Sequence, residues 1–282
     1  MTTRLIMLVL QASIILSVLS LGLGASFNEP WYLLRRRRQL LRSLFSMNIV
    51  MPLFASLLAA GFNLFPAVEF TLIMLSISPM PPMLPRRQLK AGGRAAYVFG
   101  LLVAAALFAI VFVPIAVAVL GRAFASPIHA SPGMISNVVF SQILIPLGLG
   151  LALRHSAPDF ADRIARPVSS FATLLLLIAL IPLFFVAWPV SVPLIGNGTL
   201  AALAAFCVAG LATGHLLGGP ESENRTTLAL STASRHPAAA MMIANANFPE
   251  EKSIFGALFL YLIVSTIASV AYLAWRRSIN RR

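Results

Sequence analysis

The chain has 282 residues, of which 59% are hydrophobic and 10% charged, with a mean hydropathy of +0.89 and a formal net charge of +13. Soluble domains carry about 25% charged residues, so these values exclude a protein wetted over its whole surface, and they exclude intrinsic disorder for the same reason. The single cysteine, Cys207, excludes an internal disulfide; its apolar surroundings predict a buried structural thiol.

Apolar runs at 5–25, 40–62, 64–80, 95–120, 134–153, 168–188, 198–217, 226–248 and 253–274 predict nine membrane spans, since a helix needs about 20 residues to cross the hydrocarbon. The first run, after Met1 to Arg4, is too long for the apolar core of a signal peptide and reads as a span. The basic residues then set the orientation. Seventeen fall on one side: Arg35 to Arg38 and Arg42 after span one, Arg86, Arg87, Lys90 and Arg94 after span three, and Arg154, Arg163 and Arg166 after span five. Arg225 follows span seven, and Arg276, Arg277, Arg281 and Arg282 follow span nine. Arg4, Arg122 and Lys252 fall on the other side. This bias predicts an inner (plasma) membrane protein with its N-terminus outside and its C-terminus in the cytoplasm. It also assigns the positive charge to topology rather than to a nucleic-acid surface. The segment from Ser156 to Pro167 reads as one inside turn, and Gly218 to Glu223 as another.

Two spans cannot be continuous helices. Pro79, Pro81, Pro82 and Pro85 crowd the end of span three; each lacks an N–H, clashes with the preceding turn and pushes the residue before it out of the helical region. Span eight is interrupted where Leu228 to Ser234 gives way to Arg235, His236 and Pro237. Pro85 and Pro237 both suit the first turn of a resumed helix. Spans one to four carry their break in the third span, and spans six to nine, running the opposite way, carry theirs in the third as well. This pattern predicts an inverted repeat. A first repeat covers 1–132 with its break at 79–85; a linking span and second repeat cover 133–282 with a break at 231–237. Paired interrupted helices are the best sequence pointer to a transporter's binding site; two unrelated proline kinks are the alternative.

At these residues the chain resembles the bile acid:sodium symporter family, over nearly its whole length. The resemblance is carried by Gly22 and Gly24 with the basic turn after them, by Met51-Pro52-Leu53, and by the proline-rich break with Ala91-Gly92-Gly93. It continues through Arg225-Thr226, Ser231, Arg235-His236 and Asn247-Phe248. It implies an all-α polytopic protein in which a core domain with two crossing, unwound helices works against a separate panel domain by alternating access. Relative to ten-span members this chain lacks the first helix. Its departures bear on the coupling ion. Where sodium-coupled members carry Ser-Asn at the first crossover, Leu84 and Pro85 stand here. Ser231 replaces a glutamate at the second, Arg235 and His236 replace Gln-Asn, and Arg94 replaces an acidic residue. The polar position of span two falls at Met47, beside Asn48. Sodium needs hard oxygen ligands, so these replacements argue against sodium coupling and predict no metal site. Proton coupling through His236 stays open.

A charge at mid-membrane costs about 2.5–3.5 kcal/mol on insertion scales and usually marks function. Arg235 therefore leads the candidate anion-binding set of Arg235, His236, Ser231, Ser234, Pro82, Leu84, Pro85 and Asn48. Its planar fork suits a carboxylate, with the resumed helix ends adding partial positive charge. A structural Arg235 bonded to unwound carbonyls of the other crossover is the competing reading, and it could also substitute for sodium as a tethered cation. A Glu69–Arg235 pair is disfavoured, since Glu69 precedes the break by about 15 Å of helix. His215, His129 and His155 read as surface groups, and the methionines as gap fillers. The expected function is alternating-access transport of a small organic anion across the lipid bilayer. The rivals are a non-transporting sensor or accessory protein and an intramembrane Ser/His hydrolase. No catalytic motif or carboxylate pair favours an enzyme. The oligomeric state is not encoded in any motif.

Overall fold

The computed structural model describes residues 2–123 and 131–280. The described residues are helical, with no strand among them. Helix α1 spans Thr2–Gly24. A continuous second helix joins α2 (Arg37–Phe45), a π-helical turn (Ser46–Val50) and α3 (Met51–Gly61). The third run is broken into α4 (Pro66–Ile77) and α5 (Leu84–Lys90), and α6 follows over Ala95–Ala123. Beyond these, α7 (Pro132–Val139), a second π-helical turn (Phe140–Leu144) and α8 (Ile145–Ser156) form another continuous helix. Then come α9 (Pro158–Ser191), α10 (Thr199–Leu217), the second broken pair α11 (Ser222–Ala233) and α12 (Pro237–Asn247), and α13 (Lys252–Asn280). Six of these helices are long and apolar enough to cross a membrane, with α1 and α4 shorter apolar ones, so the chain is an integral membrane protein.

Both breaks lie where prolines and polar residues interrupt the apolar runs, with narrower limits than the sequence suggests. The first is Ser78–Met83 and the second Ser234–His236. Pro85 and Pro237 do stand in the first turns of α5 and α12, where a missing N–H costs nothing. Ser231, expected inside the second break, lies in α11. The Ser156–Pro167 turn is also corrected: only Ala157, at φ −143°, ψ 70°, is non-helical, and α9 begins at Pro158. A proline at the helix start with Asp159 in the first turn outweighs Pro167, which the helix absorbs.

Close helix crossings hold the broken segments in place. Along α10, Gly210, Gly214 and Gly218 face the backbone of α11: a Cβ there would lie 2.7 Å from Ala233 Cα, 2.5 Å from Leu228 O and 2.5 Å from Arg225 Cα. Only small residues allow such an approach. Helix α1 packs on α8 and α9, and its Gly22 meets Gly150 of α8 so closely that a Cβ on either would strike the other helix's backbone, at 2.5 Å and 2.4 Å. The α1/α8/α9 group joins the remainder chiefly along α9–α13 and α6–α7.

Loops gather at two ends. At the basic end Arg36 and Arg94 lie over the Tyr32 ring at 4.6 Å and 5.1 Å, and Arg94 lies 4.0 Å from Glu221. This brings together the links after α1, α5 and α10. At the other end Phe70, early in α4, meets Phe248, after α12, edge-on at 5.1 Å. Arg122 stands in the last turn of α6, and residues 124–130, including His129, lie outside the described residues.

Candidate functional site where two broken helices meet

The two breaks are hydrogen-bonded to each other. The His236 N–H reaches Pro79 O at 3.0 Å and Ser78 Oγ at 3.1 Å. An unwound helix end exposes carbonyls that must find donors inside the membrane, and Arg235 supplies them. Its Nε donates to Leu75 O at 3.0 Å, and its Nη2 donates to Ser76 O and, at 3.0 Å, to Met47 O. Leu75 and Ser76 are among the last residues of α4. Met47 sits in the first π-helical turn, where an i→i+5 bond to its carbonyl would need the N–H of position 52. That position is Pro52, which has none. Thus one guanidinium satisfies carbonyls orphaned for two different reasons.

Tyr261 of α13 completes the junction. Its hydroxyl accepts from Arg235 N at 2.6 Å and donates to Ala233 O at 2.8 Å, sealing the broken end of α11. Gln88 of α5 ties the pair from the other side, donating to Thr227 O at 2.9 Å and to Ser231 Oγ at 2.6 Å. Ser231 in turn donates to Thr227 O at 3.0 Å and rests 3.1 Å from Met80 Sδ. Ser46 and Thr232 share a 2.8 Å hydroxyl bond, which fixes the π-helical turn against α11.

The residues singled out in the sequence are all buried: Arg235 is 1% exposed, His236 2%, and Ser231, Ser234, Leu84, Asn48, Pro82 and Pro85 are also inside. Arg235, His236 and Ser231 are drawn into the junction. Asn48 donates to Leu44 O of its own helix, and Ser234 N to Leu230 O. The Arg235 guanidinium is sealed from solvent in this conformation. The guanidinium also faces the C-terminal, partially negative end of α4, which offsets its charge. The disfavoured Glu69 pair does not form among the described residues: Glu69 is in the first turn of α4, while Arg235 is at its end. Three nitrogens at the junction have no hydrogen-bond partner among the described residues: Arg235 Nη1 and both ring nitrogens of His236. The His236 ring is bonded to neither Ser231 nor Ser234.

Sequence reasoning missed Tyr261, Gln88 and the π-helical turn. Each left a trace: a tyrosine in an apolar span needs a partner for its hydroxyl, Gln88 is the uncharged polar residue of a basic stretch, and Pro52 sits inside a helix. His215, half-exposed in the last turn of α10, is paired rather than free. Its Nδ1 is 2.8 Å from the Tyr272 hydroxyl and its ring packs on Trp275. Cys207 is buried and free.

Two helices that unwind inside a polytopic helical protein and bind each other there make an interrupted-helix junction, the arrangement on which many transporters build their binding sites. The family model of the sodium bile acid symporter family matches residues 12–192. The chain belongs to that family, a family of transporters. The match takes in α1 to α9 with the first break; the second break lies beyond it. None of the curated proteins compared with the chain matches it.

The family's name implies a sodium ion, and the donors can be tested for one. The carbonyls of Leu75, Ser76 and Met47, oxygens of the kind a sodium ion would need, are taken up by the Arg235 guanidinium.

Proposed function

We propose that the protein is a secondary carrier of a small organic anion, working by alternating access and without sodium. It crosses the membrane nine times as an inverted repeat with its C-terminus in the cytoplasm. The α1/α8/α9 group is the panel, and the helices carrying the two breaks form the core. The gathering of the basic links after α1, α5 and α10 at one end supports this topology.

The observation that carries the reading is the pair of unpartnered donors at the junction. Arg235 Nη1 and the His236 ring are buried with no partner among the described residues, and buried donors of this kind are costly unless something binds them during the working cycle. An oxyanion suits them, with Arg235 holding the unwound α4 carbonyls by its other nitrogens. Ser231, Ser234, Asn48, Pro82, Leu84 and Pro85 would then shape the wall of the site, and the surrounding apolar side chains would favour an anion with an apolar body. Arg235 replaces a coupling cation that the donors here do not suit. A proton step at His236 is the remaining coupling that the residues offer.

A thermal-shift screen of purified protein against anionic metabolites, in sodium, potassium and choline salts at two pH values, tests this. At least one organic anion should stabilise the protein equally in all three salts. Stabilisation confined to sodium would refute the reading, and the absence of any stabilising anion would favour a non-transporting sensor or accessory role.

A further inference from the structure

Arg86 also faces the interior of the fold, and its surroundings differ from those of Arg235. It stands in the first turn of α5, three residues after the first break, and is half-buried rather than sealed. Its Nη1 donates to Ser169 O at 3.3 Å and Thr173 Oγ1 at 3.4 Å of α9. Its Nη2 donates to Ser17 O at 3.3 Å and to Ser20 Oγ of α1. No carboxylate pairs with it among the described residues. Its charge therefore rests only on neutral hydroxyls and carbonyls. Ser20 is itself 3.0 Å from Ser17 O, and the Ser17 hydroxyl is fully buried with no partner among the described residues. Ser13, Ser17 and Ser20 repeat at helical spacing along α1, so a polar stripe runs up the face turned toward α9.

The position matters as much as the chemistry. Away from Arg86, α9 meets α13 in a tight backbone contact, where Ser191 Oγ donates to Gly256 O at 3.1 Å and a Cβ on Gly256 would lie 2.7 Å from Val190 O. That end has no slack. At the basic end the crossover helix α5 reaches α1 and α9 through the Arg86 hydrogen bonds, which can be exchanged for other acceptors one at a time. A guanidinium held by neutral acceptors gains most from an ionised one, because charge-assisted, bidentate bonds to a carboxylate are about twice as strong as neutral ones.

We propose that Arg86 is the residue that receives an anion arriving from the basic end. In the conformation described it is parked on Ser17, Ser20, Ser169 and Thr173. An incoming carboxylate takes the guanidinium from them, and in doing so releases α5 from α1 and α9. The same side chain thus recognises the anion and fastens the two helix groups together when no anion is bound. This rests on the carrier reading above and adds to it the residue that first engages the substrate. Internal acceptors compete with the ligand, so the apparent affinity is lowered by the fraction of time that Arg86 is parked.

Potassium benzoate, a carboxylate on an apolar ring, is the probe, with neutral benzyl alcohol as the control. Its binding to the full chain is titrated in choline buffer by tryptophan fluorescence. The combined substitution Ser20→Ala and Thr173→Val removes two competing acceptors and should tighten benzoate binding about threefold to tenfold. Arg86→Gln should weaken it at least tenfold, and Arg86→Lys should fall between. Benzyl alcohol should respond to none of the changes. Unchanged benzoate affinity in Arg86→Gln, looser binding in the Ser20/Thr173 variant, or no benzoate binding by the native chain would each overturn the proposal. Arg86→Gln that still binds and carries anions leaves the carrier reading standing, whereas a native chain that moves no anion into liposomes ends both.

Discussion

The backbone N–H of His236 and the carbonyl of Pro79 are 3.0 Å apart, so the two interruptions of the chain, more than 150 residues apart in sequence, satisfy each other. An interruption at membrane depth is tolerable only if its freed polar groups find partners in protein or water. Here much of that requirement is met by the opposite interruption, and Arg235, next in the chain, meets more of it. Neither break is stable without the other, which is why a junction of this kind acts as one unit.

Arg235→Met should destabilise the fold strongly. It leaves the carbonyls of Leu75, Ser76 and Met47 without the donor they have now, and each buried group left unpaired costs about 1–3 kcal/mol. A loss of about 3 kcal/mol or more is expected in detergent unfolding curves. Arg235→Lys should recover part of it, because an ammonium carries donors but cannot span three carbonyls with a planar fork. Equal stability of the Met variant and the native chain would show that the guanidinium is not needed to join the breaks.

Tyr261→Phe isolates a single hydroxyl. That oxygen accepts from Arg235 N and donates to Ala233 O, so its removal exposes one donor and one acceptor at the end of α11 while the ring packing is kept. The expected cost is about 1–3 kcal/mol. Faster amide hydrogen exchange at residues 233–236 should accompany it, and exchange rates unchanged from the native chain would contradict the capping role.

Gly214→Ala tests the approach of α10 to α11. The new Cβ would lie 2.5 Å from Leu228 O and 2.6 Å from Ala229 Cα, so backbone must move, at about 1–3 kcal/mol. Gly24→Ala is the control, since nothing lies within 4 Å of its Cβ position, and its effect should stay within about 0.5 kcal/mol. Comparable melting temperatures for the two variants would mean that α10 and α11 are not packed this closely.

Much of the helical layout was legible because proline and hydropathy act locally. Pro79, Pro81 and Pro82 fall close enough together to end a helix by themselves, Pro85 and Pro237 suit a helix start, and the apolar runs located most of the helices, α9 excepted, to within a few residues. The limits of the second break were not legible: Ser231 lies in α11, where Gln88 of α5 donates to its hydroxyl across the fold, a tertiary matter. Arg235 was legible in part: bonding to the unwound carbonyls of the other crossover was its competing reading, and it bonds Leu75 and Ser76 there, whereas the bond to Met47 depends on a carbonyl released by Pro52 in another helix. Residues 156–167 were misread because proline density outweighed the start signal of Pro158 and Asp159.

Counterflow uptake into proteoliposomes tests the central claim most directly, using the anion that the thermal-shift screen selects. The predicted result is uptake that continues undiminished when choline replaces sodium at constant ionic strength, and that is lost in Arg235→Gln protein which still folds. Uptake that stops without sodium, or that survives the loss of Arg235 unchanged, would contradict it.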